Sequence, residues 1–192
     1  NLLGPNSLSA INLTSPLIQL LSAITVLINV GGATLAAIFI GRGKTEDASR
    51  IFTTSVVINL IVGVVITILG TVFIDEIVSV LCSDASLAPL VKDYASVVLI
   101  SSLLYMLLPG ICVFVRTDSN PKLATAALVI ANIVNLGLDI VFIEFMNLGV
   151  GSSALATSLG YLVGVCILLI HVTKKERVFR FKFSGIKYAG SI

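Results

Sequence analysis

Asp139 is a carboxylate inside a long apolar run, flanked by Leu138 and Ile140. A charge near the centre of a bilayer costs several kcal/mol, so such residues are usually functional. Asn132, Asn135 and Asp139 are spaced by three and four residues, which puts them on one helical face. Low dielectric favours the neutral acid, so Asp139 can take up a proton and release it when its surroundings hydrate. It can equally bind a hard cation with help from amide and hydroxyl oxygens. Asn135, one turn away, is a suitable amide ligand. Thr157 stands at a comparable distance beyond the next turn. Antiparallel helices joined by so short a connection pack side by side, so Thr157 and Asp139 can meet. The plainer readings are a polar staple between helices for Asp139 and Asn132, and a hydroxyl bonded to its own backbone for Thr157. Gln19, Asn29, Tyr105 and Tyr161 are candidates for lining a cavity, with packing or interfacial anchoring as the alternative.

The elements that position these residues follow from composition. The chain has 192 residues, 57% hydrophobic and 11% charged, with a mean hydropathy of +1.10. A soluble domain carries about 25% charged residues, so this is an integral membrane chain. No charge occurs from Ile51 to Ile74, from Tyr94 to Val115, or from Phe145 to His171. Each gap reaches the roughly 20 residues a helix needs to cross a bilayer. These are runs without period-2 alternation, which argues against an outer-membrane barrel. The pattern predicts an all-α, polytopic transmembrane bundle of five spanning helices, over 13–40, 48–74, 88–116, 121–145 and 151–173. Gly41-Arg42-Gly43-Lys44 and Asp118-Ser119-Asn120-Pro121 are connections, the second with a proline fit to open a helix. Gly31-Gly32 and Pro109-Gly110 mark places where helices bend or pack closely.

Orientation follows from the basic residues. Arg42, Lys44, Arg50, Arg116, Lys122, Lys174, Lys175, Arg177, Arg180, Lys182 and Lys187 fall on one side; only Lys92 falls on the other. The positive-inside rule makes the crowded side cytoplasmic, in a multi-pass protein of the cell membrane. Asn1 then begins outside without a signal peptide, which predicts at least one helix upstream. Residues 174–192 read as a cytoplasmic interfacial helix or linker toward further membrane protein. Cys82, Cys112 and Cys166 have no metal-type spacing. The sequence holds no HExxH, GxSxG or phosphate-binding glycine loop, so an enzyme reading has no residues to rest on. The basic tail suits a membrane surface rather than nucleic acid.

The arrangement resembles the multidrug and toxic compound extrusion family. The resemblance rests on Leu3 to Ala10, on Gly41-Arg42-Gly43-Lys44, and on Arg116-Thr117-Asp118-Ser119-Asn120-Pro121-Lys122. Most specific are Asn132 to Asp139 and Gly149 to Thr157. It implies a twelve-helix antiporter of two six-helix lobes, with these five helices as the second to sixth of the amino-terminal lobe. It further implies export of cationic, amphipathic small molecules in exchange for Na+ or H+, with no other cofactor. Asn135, Asp139 and Thr157 match the family's amino-lobe cation site. The partners implied are the first helix and second lobe of its own polypeptide, the small-molecule substrates and the bilayer. The rival readings are a flippase for a lipid-linked precursor and a non-transporting membrane scaffold. The flippase expects intramembrane basic residues for a phosphate, and none occurs here.

Overall fold

The computed structural model describes residues 4–146, 148–172 and 178–181. Among them every regular element is helical: α1 (Gly4–Gly41), α2 (Thr45–Val72), α3 (Ile74–Leu81), α4 (Ala88–Ile100), α5 (Ser102–Thr117), α6 (Pro121–Ile140) with a terminal π turn (Val141–Phe145), and α7 (Gly151–Val172). Four helices are long and apolar enough to cross a membrane, and a fifth crossing results if α4 and α5 form one bent span. The polar residues within the spans largely satisfy themselves. Thr14, Thr25, Thr34, Thr53 and Thr71 each donate to the carbonyl four residues back, the local solution for a hydroxyl where no water is available.

Helix boundaries differ from the sequence expectation in instructive ways. α1 begins at Gly4 rather than Leu13, because nothing between them breaks a helix and Ser7 and Ala10 are buried. Its buried residues continue as Thr14, Leu17, Leu21, Thr25, Asn29, Ala33 and Ala36, one stripe at helical spacing. The expected 48–74 helix stops at Val72. Beyond it, α3 is a separate amphipathic turn that buries Val78 and packs with Ala10, Cys82 and Val91.

The third expected span is broken. α4 and α5 meet at Ser101 with a bend of 52°. The helix runs on through Pro109, so the break does not fall at Pro109-Gly110. Thr67 of α2 stabilises the break: its hydroxyl donates to the Leu99 carbonyl at 2.9 Å and lies 3.0 Å from Ser102 Oγ. Ser102 Oγ in turn donates to the Gly63 carbonyl at 3.1 Å. Irregular backbone at membrane depth persists only where protein groups satisfy it in this way.

α6 and α7 form the most extensive helix pair. Small residues bring them together. Ala124, Ala127 and Ala131 are fully buried, and a Cβ on Gly160 would stand 2.4 Å from the Ala131 carbonyl oxygen. Such close approach is how helices associate where apolar burial gives no drive.

The residues after α7 hold a further difference. Within the region read as an interfacial segment, 178–181 has no regular structure and tucks against the bundle. Phe179 is buried among Phe52 and Phe114, with ring centroids at 5.6 and 5.4 Å. Ser49 donates to the Val178 carbonyl, and Thr53 to that of Arg180 at 3.4 Å. Carbonyls engaged by side chains of α2 are not available for a helix ladder, so this stretch packs inward. The rest of 174–192 lies outside the described residues.

Candidate functional site

The α6–α7 seam brings together the carboxylate, the amide and the hydroxyl singled out above. Asn135 and Asp139 are one turn apart on α6 and both are half-buried. Asn135 Nδ2 donates to Asp139 Oδ2 at 3.3 Å and to Thr157 Oγ1 of α7 at 3.1 Å. Thr157 also donates to its own Ser153 carbonyl at 3.0 Å, so the backbone-bonded and the site-forming geometries coexist. Asp139 Oδ1 is buried and accepts no well-formed hydrogen bond, although the Ser153 hydroxyl stands close enough to polarise the carboxyl. Gly160, one turn beyond Thr157, sets the spacing: its absent Cβ would also lie 3.2 Å from Asn135 Cβ.

The donor set is all oxygen: carboxylate, hydroxyl and, if the Asn135 amide turns over, its carbonyl. Oxygen ligands suit hard cations and not zinc or copper. In the described arrangement the amide nitrogen lies between the two oxygens that a cation would join. Its N–H groups therefore perform the electrostatic task of the cation, holding Asp139 and Thr157 together. The orphaned Asp139 Oδ1 fits a proton or an ion that the amide does not replace. No group of three His, Cys, Asp or Glu side chains suited to a metal exists among the described residues.

The other candidates are placed differently. Asn132 is exposed on α6 and donates to the Leu128 carbonyl at 2.9 Å. Gln19 is exposed on α1. Asn29 lines no opening: it is 1% exposed and pairs reciprocally with Asn59 of α2 at 3.2 and 2.8 Å. Each amide also donates to its own backbone at 2.8 Å, so this pair is a closed staple between α1 and α2. Tyr105 is buried and its ring packs against half-buried Tyr161, with centroids 5.2 Å apart.

Tyr94 and Ser153 belong beside the site, and sequence reasoning missed both. Tyr94 is buried on α4 and near enough to Asp139 to feel its charge. Its spacing of eleven residues from Tyr105, three helical turns, is the signal that was available. At the acidic end of the bundle, Asp93 of α4 accepts a 2.8 Å bond from the Gly151 N–H and so caps the start of α7. A Cβ on Gly151 would lie 2.8 Å from that carboxylate, which explains a glycine there. This contact fixes the register of α7, and with it the height of Thr157 relative to Asp139.

The MatE family model matches residues 1–141. The chain belongs to the MatE family. It is a multi-pass membrane protein. Among relatives, this MatE chain is 24% identical over 180 residues to the multidrug export protein MepA of Staphylococcus haemolyticus, covering 94% of this chain and 40% of that protein. It is 26% identical over 169 residues to a FAD transporter of Shewanella oneidensis, covering 86% of this chain and 37% of that one. A solved MATE multidrug resistance transporter in an inward-facing conformation superposes with a TM-score of 0.88 at 26% identity, over 95% of this chain and 42% of that one. This MatE chain therefore spans about 40% of the length of the relatives it matches.

Proposed function

We propose that this chain serves a secondary antiporter that exports small amphipathic compounds, cationic in character, in exchange for Na+ or H+. The observation that supports the reading best is the α6–α7 seam, where one intramembrane carboxylate is tied through an amide to a hydroxyl on the neighbouring helix. Binding a proton or Na+ at Asp139 displaces the Asn135 N–H from between the two oxygens. That exchange changes the bonds joining α6 to α7. Coupling requires the ion to bind two conformations of the lobe unequally, and a helix seam that trades partners on binding supplies such a difference. Asp139 takes the ion, Asn135 turns from donor to ligand, and Thr157 completes the set from α7. Lys and Arg density at the Gly41–Lys44 and Thr117–Asn120 connections places that end in the cytoplasm.

The FAD-transporting relative favours a second reading of the cargo, an anionic flavin nucleotide. The same experiment tests both. The natural full-length protein in inverted vesicles is given a proton or a sodium gradient, with and without Asp139→Asn. The expected result is export of a cationic dye on one gradient, reduced at least tenfold in the variant. Flavin nucleotide export in its place would shift the cargo. Equal dye export by wild type and variant would refute a coupling role for Asp139.

A further inference from the structure

A buried tyrosine beside the seam is left without a partner. Tyr105 of α5 is 8% exposed, and its hydroxyl is buried with no hydrogen bond of good geometry among the described residues. An unmade hydrogen bond of this kind is costly, and replacing the group with an apolar one of the same shape is often neutral or stabilising. A phenylalanine would fill the same space against Tyr161.

The surroundings explain both the orphan and its use. The Tyr105 hydroxyl faces those of Thr157 and Ser158 on α7. Both neighbours have committed their protons: Ser158 to the Ala154 carbonyl at 2.7 Å, and Thr157 to that of Ser153 at 3.0 Å. Tyr105 must therefore be the donor. Thr157 already accepts from Asn135 at 3.1 Å, which turns its oxygen toward α6.

We propose that Tyr105 is a positioning residue for the coupling ion, whose hydroxyl donates to Thr157 Oγ1 once Asn135 withdraws its N–H. This rests on the coupling reading above. A proton or Na+ at Asp139 calls for the amide oxygen of Asn135, so the amide turns over and releases Thr157. One lone pair of Thr157 then serves the ion and the other accepts from Tyr105. The hydroxyl unpaired without the ion becomes paired with it, and ion binding is tighter by that difference.

The test is thermal unfolding of the natural full-length protein in detergent. NaCl is titrated against choline chloride, and pH is varied in choline alone. The variants are Tyr105→Phe, Thr157→Val, Thr157→Ser and the Phe–Val double substitution. Tyr105→Phe is expected to melt at or above the wild type without ion. Its half-maximal Na+ concentration is expected to rise about tenfold, or its proton midpoint to move about one pH unit. Thr157→Ser keeps the wild-type midpoint, and in the Thr157→Val background Tyr105→Phe adds nothing further. A lower melting temperature with an unchanged midpoint would overturn the proposal, since the hydroxyl then serves packing or a structural water. Full additivity with Thr157→Val would do the same. A wild type that responds to neither ion would instead refute the coupling reading beneath it.

Discussion

Gly160→Ala is the smallest change that tests whether helix spacing, and not residue identity alone, makes the site. The added Cβ would lie 2.4 Å from the Ala131 carbonyl oxygen, where ordinary contact begins at 3.4 Å. The obstacle is helix backbone, so the strain is relieved by moving α7 away from α6 by about 1 Å. Overpacking of this kind costs about 1–3 kcal/mol. Thr157 lies one turn from Gly160 on the same helix, so its 3.1 Å contact with Asn135 lengthens with the shift. A 1 Å displacement carries it past the roughly 3.2 Å reach of an N–H···O hydrogen bond. The site residues are all retained and their geometry is lost. Purified full-length Gly160→Ala is expected to melt lower than wild type and to need at least about tenfold more ion for half-maximal dye efflux. Gly31→Ala, where a Cβ meets nothing within 4 Å, is the matched control. Wild-type ion dependence in Gly160→Ala, with an unchanged melting temperature, would refute the close-approach argument.

Thr67→Val is expected to unpair the Leu99 carbonyl at the α4–α5 break and to destabilise the protein by about 1–3 kcal/mol in denaturation, with faster amide exchange around Ser101. Phe179→Ala is expected to cost about 3–5 kcal/mol by emptying the aromatic cluster with Phe52 and Phe114; a change below 1 kcal/mol would show that 178–181 does not pack inward in solution. Asp84 accepts bonds from the Ser86 hydroxyl and N–H, in that order of weight, which hold its carboxyl below the ordinary aspartate value. The turn is therefore complete above that ordinary value and opens as pH falls through the lowered one. The Ser86 amide resonance reports the transition, which Asp84→Asn removes.

The sequence alone determined what depends on local periodicity and on the cost of charge in lipid. Charge-free runs located the spans, and 3.6 residues per turn placed Asn135 and Asp139 on one face of α6. The short Gly149–Gly151 connection set α7 beside α6, so Thr157 was legible as a partner. Tertiary structure decided what stands opposite each residue. Periodicity gives a side chain its direction but not its neighbour: Asn132 shares the direction of Asp139, yet it is exposed two turns below. Asn29, polar in an apolar run like Asp139, found Asn59 and closed into a staple, a pairing between distant segments that no spacing encodes. The break at Ser101 has no glycine or proline at its own position; a hydroxyl on another helix makes it tolerable. Tyr105 is unpaired only because Thr157 and Ser158 give their protons elsewhere. Hydrogen-bond completeness is a property of the packed bundle, because each donor's options depend on what its neighbours have already accepted.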